Sequence, residues 1–322
     1  MYSNNENLKK NSLKLQIEPY RQTTNYTCVA ASYLVCLNHL FPSIFSRDRE
    51  TELNIHNKIK FWEGGEGEYG SYPKLARHAL NLGLNVHMVL QGPTKPEFIP
   101  LETWERYMEN FLPIIDDLKK INNFKFEKKD FNTLDLLNEI EKGYIPIVEI
   151  NYPSPECTHH IVIRGFEGKR IKVLDPIKGY SGYNLESFEK IIDLGYMKNF
   201  ISLQKPNSLE LSLVASGLAA SKGEVRGEAQ IIKEYEPDFQ AGNILVAPRT
   251  DPDMVPNMIL SSGIITDIGG ILCHAAIVAR EIGVPAVVGT RNSTTQIKNK
   301  DQLYLDGNLG KVYRISKNES SL

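Results

Sequence analysis

The sequence predicts two consecutive domains, the first an α+β domain of mixed helices and strands and the second smaller and strand-rich. Three observations predict this. A length of 322 residues is comfortable for two domains. Apolar residues recur with helical period after Cys28 and elsewhere give way to short β-type runs bounded by glycine. The text then changes character between Ile201 and Gly223, where "LQKPNSLELSLVASGLAASKG" is rich in Ser, Ala and Gly. These changes mark a flexible tail at 1–14, a first domain at 15–203, a second domain at 204–316 and a short tail at 317–322.

Composition narrows the function classes. Hydrophobic residues make up 41% and charged residues 24%, as in ordinary globular proteins. A net charge of -2 argues against nucleic acid or an anionic membrane as the main partner. No apolar run is long enough to span a bilayer, and the polar start "MYSNNENLKKNSLK" lacks a secretory signal core. Cys28, Cys36, Cys157 and Cys273 show no paired short spacing, so a disulfide framework or CxxC metal site is not expected. A cytoplasmic protein with free thiols and no metal is the expectation.

The elements follow in order. "CVAASYLVCLNHLF" carries an apolar stripe through Val29, Tyr33, Leu37 and Leu40, a helix with Cys28 at its N-terminal end. "SYPKLARHALNLGLNVHMVL" reads as a helix, a stop at Gly83 and a strand from Asn85 to Leu90. "TLDLLNEIEKGYIPIVEINY" repeats this, with a cap near Thr133 and a stop at Gly143. "HHIVIRGFEGKRIKVLDP" reads as two strands turning at residues 167–169. In the second domain, "EVRGEAQII" and "NILVAP" are strands, "DPDMVPNMILSS" a short helix and "GIITDI" a buried strand. A Gly269-Gly270 loop, a helix at 273–282, the strand "PAVVG" and the closing hairpin "QLYLDGNLGKVYRI" follow.

Cys28 is the first candidate catalytic residue. A thiol attacks as the thiolate, which a helix N-terminus and a nearby imidazolium both favour. Such an enzyme also needs a group to orient its histidine and donors for the oxyanion. Gln22 lies six residues before Cys28. His160 opens one strand of the 160–175 hairpin and Asp175 ends the other, so a turn at 167–169 is expected to bring them face to face. His159 is the rival to His160; the apolar residues directly after His160 favour His160. Cys36 shares the helix face of Cys28 and is expected in the core.

"YRQTTNYTCVAAS" and "HHIVIRGFEGKRIKVLDPIKGY" resemble the papain-like peptidases that trim double-glycine leader peptides, and more closely their stand-alone relatives. "FWEGGEGEYGSYPKLARHALNLG" fits those relatives, which have a tryptophan-containing, Gly-rich segment before the second helix. The resemblance covers roughly residues 15–200. It implies a papain-like α+β domain with Cys28 as nucleophile, His160 as general base, Asp175 as its orienter and Gln22 as oxyanion donor. Val29 departs from the family, which commonly has Gly directly after the cysteine; the departure bears on the oxyanion pocket.

The second candidate is His274, behind Gly269-Gly270 and ahead of "AAIVARE". Glycines let a backbone approach an anion, and a helix N-terminus presents free N–H groups to it. An imidazole there is placed to accept a phosphoryl group as a neutral nucleophile. Gly269, Gly270, Cys273 and Thr266 are the expected phosphate-binding residues, with Asp267 close by. Arg280, six residues on, falls on the opposite helix face. The run "NILVAPRTDPDMVPNMILSSGIITDIGGILCHAAIVAREIGVPAVVGT" with "DQLYLDGNLGKVY" resembles the swivelling phosphohistidine domain of phosphoenolpyruvate-utilising enzymes, among them phosphoenolpyruvate synthase, pyruvate phosphate dikinase and rifampicin phosphotransferase. That resemblance implies a compact β/β/α domain with His274 as phosphate carrier and Cys273 beside it in a supporting role.

No Gly-x4-Gly-Lys run is present, and no segment reads as an ATP-grasp domain. The expectation is therefore no cofactor in the chain itself, with phosphate reaching His274 from ATP or phosphoenolpyruvate through a separate ATP-grasp-type or other phosphate-donating protein. The leading functional expectation is a cysteine peptidase, amidase or acyltransferase acting on a peptide-like or amino-acid-derived substrate in a biosynthetic pathway. The alternatives are a phosphocarrier with a non-cleaving papain-like domain, and a non-catalytic scaffold. Trp62, Tyr69 and Trp104, with Glu63, Glu66 and Glu68, are candidates for a cleft wall drawn from 62–72 and 91–130.

Overall fold

The computed structural model describes residues 13–24, 26–60, 71–91, 101–151, 158–193 and 198–317. They form two compact units, the first running to Lys205 and the second taking the residues from Pro206 onward together with Asn81–Gly83. No helix among the described residues is long and apolar enough to cross a membrane.

The first unit contains β1 (Leu13–Lys14), α1 (Cys28–Leu40), α2 (Arg49–Ile59), α3 (Tyr72–Asn81), β2 (Asn85–Leu90), α4 (Leu101–Leu118) and β3 (Phe124–Lys128). It continues with α5 (Thr133–Glu141), β4 (Ile145–Asn151), β5 (Thr158–Glu167), β6 (Arg170–Asp175), β7 (Gly179–Asn184), α6 (Leu185–Asp193) and β8 (Asn199–Gln204). The sheet order is β3-β2-β8-β4-β5-β6-β7, with β1 paired to β5. All pairs are antiparallel except β2–β3. α5 starts on a full capping box, in which Asn132 and Asp135 satisfy each other's orphan amides. Gly83 and Gly143 end their helices at φ +85° and +83°, a left-handed conformation that glycine adopts without a Cβ penalty.

Strand alternation divides this sheet into two faces. Val148, Ile150, Ile161, Ile163 and Val173 point one way and pack with Leu136, Leu137 and Ile140 of α5 and Phe188 and Ile192 of α6. Glu149 and His160 fall between these residues and point to the face that carries α1, whose Ser32 Oγ donates to the His160 carbonyl at 2.9 Å.

The second unit contains β9 (Leu209–Ser216), β10 (Leu218–Ser221), β11 (Glu224–Ile231), β12 (Ile244–Ala247), α7 (Val255–Leu260) and β13 (Gly263–Thr266). Then come α8 (His274–Ile282), β14 (Ala286–Val288), α9 (Ser293–Gln296), β15 (Gln302–Asp306) and β16 (Lys311–Lys317). Its sheet runs β10-β14-β13-β12-β11-β15-β16-β9, parallel through β14-β13-β12-β11 and antiparallel elsewhere. Ala275, Ala276 and Ala279 seat α8 on Leu245, Ala247, Ile264, Ala286 and Val288. The opposite face buries Ile244, Val246, Ile265 and Val287 with Leu303, Leu305 and Val312.

Within 91–130 the described residues include α4 and β3. The Ser/Ala/Gly-rich stretch forms β9 and β10, and a Cβ on Gly217 would meet the Val288 carbonyl at 2.4 Å. Trp62, Glu63, Glu66, Glu68, Tyr69, Cys157 and the side chain of Trp104 lie outside the described residues.

Candidate functional site

Cys28 is the first residue of α1, behind Thr27 as N-cap, so the first-turn amides of Cys28 and Val29 lie beside its thiol. Cys28 Sγ lies 3.6 Å from His160 Nδ1. Burial pushes the thiol up to about 11, against the pull of the His160, Val29 and Cys28 backbone N–H groups, and the charge of Glu149 adds to the rise. Burial, with the adjacent His159, lowers His160 to about 3. The resting pair is thus a neutral thiol facing a neutral imidazole. Val29 is buried, and Cys36 is a core thiol with no exposure.

The loop before Cys28 is held by Glu52 of α2, whose side chain is fully buried. Tyr20 Oη donates to it at 2.8 Å, Thr23 N at 3.0 Å, Thr23 Oγ1 at 2.7 Å, and Thr27 Oγ1 closes the set. This fixes the segment carrying Gln22. The Gln22 amide Nε2 donates to Thr24 O at 2.7 Å, its backbone N–H donates to Pro176 O at 2.8 Å, and its buried Oε1 has no hydrogen-bond partner.

The expected His160–Asp175 contact is not formed. Asp175 Oδ1 accepts from Ile177 N at 2.8 Å and Lys178 N at 3.2 Å, and lies 2.9 Å from His159 Nε2. The cause is an irregularity in the β5–β6 pairing between Ile163 and Gly165, after which Val162 pairs with Leu174. That register sets Asp175 level with Ile161, on the face of His159. These contacts hold the Asp175 carboxyl below the usual carboxylate range despite its burial. Sequence reasoning missed two side chains near His160. Glu149 Oε2 lies 4.0 Å from His160 Nε2, and Asn199 Nδ2 donates to Glu149 Oε2 at 3.1 Å.

In the second unit His274 opens α8 with Cys273 as N-cap. Thr250 Oγ1 lies 2.8 Å from His274 Nδ1, a partner that "NILVAPRTDP" did not single out. Gly269 adopts φ +150°, and a Cβ there would sit 2.7 Å from Cys273 Sγ. Gly289, at φ +69°, has space for no Cβ either: it would sit 2.7 Å from the Gly269 carbonyl. Gly270 has open space around it. Thr266 does not fit its expected role as a phosphate ligand, being fully buried with its hydroxyl donated to Ile268 O at 3.0 Å. Asp267 is likewise engaged, accepting from Ser293 Oγ at 2.6 Å and Thr294 N at 3.1 Å at the start of α9. Arg280 reaches Ala220 O at 2.8 Å, away from His274. No group of three or more metal-type ligands occurs among the described residues.

A thiol at a helix start, facing a histidine on a neighbouring antiparallel strand, is the arrangement of a papain-like α+β domain. The chain belongs to the Peptidase_C39 like family, whose model matches residues 17–197. Residues 239–310 match the mobile domain of PEP-utilising enzymes. A protein of Methanothermobacter thermautotrophicus named as a probable phosphoenolpyruvate synthase is 52% identical over 106 residues, 32% of this chain and 16% of that protein. One of the same name from Archaeoglobus fulgidus is 46% identical over 201 residues, 61% of this chain and 26% of that protein. The chain thus spans about a quarter or less of the length of these relatives. Among solved structures, a double glycine motif protease from an AMS/PCAT transporter, in complex with the leader peptide, is 16% identical, covering 60% of this chain and 94% of that one with a TM-score of 0.34.

Proposed function

We propose that the first unit is a cysteine-dependent acyl-transfer enzyme acting on a peptide-like or amino-acid-derived substrate. The observation that carries this is the 3.6 Å approach of Cys28 Sγ to His160 Nδ1 at the start of α1. As sulfur attacks a carbonyl carbon, its proton passes to Nδ1 and the carbonyl electrons move to oxygen. Collapse of the adduct expels the leaving group, which takes the proton from His160, and leaves a thioester on Cys28. Water or an amine then attacks the thioester, with His160 again as base. Free amides at the α1 N-terminus favour the oxyanion. The test uses p-nitrophenyl acetate: Cys28→Ala removes nitrophenol release above background without changing thermal unfolding. Undiminished release from Cys28→Ala overturns the reading.

A second reading, compatible with the first, is favoured by the Thr250–His274 contact: the second unit carries phosphate on His274. With Nδ1 engaged by Thr250, Nε2 is the nitrogen left to attack phosphorus. Gly269 and Gly289 let the backbone close around that histidine. The phosphate comes from ATP or phosphoenolpyruvate through a separate ATP-grasp-type or other phosphate-donating protein. The chain works in the cytoplasm, where unpaired thiols stay reduced. Phosphate on His274 that is stable to base and lost in acid is the expected product.

A further inference from the structure

We infer that Glu149, not Asp175, is the residue that positions His160. The inference rests on the reading of Cys28 as nucleophile and assigns the third member of that centre.

Three neighbouring strands carry the argument. Glu149 on β4 pairs directly with His160 on β5, so the two side chains rise side by side from one face. On the other side of β4, Val148 pairs with Phe200 of β8, which sets Asn199 level with Glu149. His160, Glu149 and Asn199 therefore form a row across β5, β4 and β8, each at most 7% exposed. The imidazole lies between its two partners: Nδ1 is 3.6 Å from Cys28 Sγ, and Nε2 is 4.0 Å from Glu149 Oε2. The ring of Tyr72 meets the imidazole edge-on, with centroids 5.3 Å apart.

A base must present a lone pair to the thiol, so the proton of the neutral ring has to sit on the other nitrogen. A carboxylate beside Nε2 holds the proton there and steadies the imidazolium that forms when Nδ1 takes the thiol proton. The Asn199 amide turns the Glu149 carboxylate by donating to Oε2 at 3.1 Å. Asp175 is not placed to do this, since its Oδ1 faces His159 and the amides of Ile177 and Lys178. The Glu149 charge also raises the Cys28 thiol. Removing that charge should therefore speed simple alkylation of Cys28 while slowing the step that needs His160 as a base. A purely structural carboxylate would not produce that opposition.

The experiment combines ring-nitrogen NMR of 15N-histidine protein with the burst and steady phases of p-nitrophenyl acetate hydrolysis. The wild type is expected to show His160 protonated at Nε2. E149Q should lose that tautomer preference, slow the steady, deacylating phase by about tenfold or more, and speed iodoacetamide labelling of Cys28. D175N should keep the His160 signals and a steady phase within about twofold of wild type. N199A, which keeps the carboxylate, should slow the steady phase less than E149Q does, and it serves if E149Q does not fold. A wild-type His160 protonated at Nδ1 overturns the inference. So does a slowed D175N beside an unaffected E149Q, or an N199A with an unchanged steady phase where E149Q does not fold. A burst that persists in Cys28→Ala overturns the nucleophile reading itself, and a Cys28-dependent burst in these variants keeps the two failures apart.

Discussion

Asp175 faces His159 at 2.9 Å, while His160, one residue along the strand, faces Cys28 at 3.6 Å. Adjacent residues of a strand point to opposite faces, so one change of register decides which histidine meets which partner. The two histidines therefore sit in different surroundings and should answer differently to substitution.

Cys28 reactivity should climb with pH. Burial pushes its thiol up to about 11, so below that value the thiolate fraction grows about tenfold per pH unit. Iodoacetamide labelling followed by mass spectrometry from pH 7 to 10 should show this slope. Cys36, more deeply buried and raised further, should label more slowly throughout. A labelling rate for Cys28 that levels off below pH 8 would contradict the buried neutral thiol.

Acid should weaken the first unit through His160. Its folded value of about 3 lies below the ordinary 6.5, so the unfolded chain binds the extra proton first. Stability is then full above 6.5 and is lost as pH falls toward 3, by up to about 1.4 kcal/mol per unit. Chemical denaturation at pH 7 and pH 5 measures the loss, and His160→Gln should reduce it. An equal pH slope in wild type and His160→Gln would contradict this assignment.

Glu52→Ala should cost about 1–3 kcal/mol, because it leaves donors on Tyr20, Thr23 and Thr27 without their buried acceptor. The freed loop carries Gln22 and leads into Cys28, so the p-nitrophenyl acetate burst should slow as well. Urea titration and burst kinetics on one preparation check both effects.

In the second unit, Gly289→Ala should destabilise by about 1–3 kcal/mol, since φ +69° and the Gly269 carbonyl leave a Cβ no room. The strain falls on the loop that leads to His274. With phosphoramidate as chemical donor, 31P NMR should show less phosphohistidine in this variant than in wild type. Thr250→Val should lower the yield too, while leaving unfolding nearly unchanged.

Much of this was legible in the chain. The helical stripe after Cys28 and the glycine loop before His274 placed both residues at helix starts, where they are found. The strand from Asn85 to Leu90 and the cap next to Thr133 follow from local pattern and cap chemistry. The orienting carboxylate was not legible. Pairing across β4 joins Glu149 to Asn199, 50 residues away, and no local period encodes that. The shifted register at Ile163/Gly165 had one local signal, a glycine inside a strand, and Gly165 adopts φ +143°. Thr266 looked available because a threonine ending a strand is often exposed; here its strand is central and the hydroxyl turns back on the loop.

The most direct test is to trap the acyl-enzyme. The 322-residue chain, mixed briefly with p-nitrophenyl acetate at neutral pH and digested in acid, is mapped by mass spectrometry. The account predicts an acetyl group on Cys28 that forms far more slowly in His160→Ala and at an undiminished rate in His159→Ala. Acetylation spread over the cysteines without preference, or a dependence on His159 in place of His160, would contradict it.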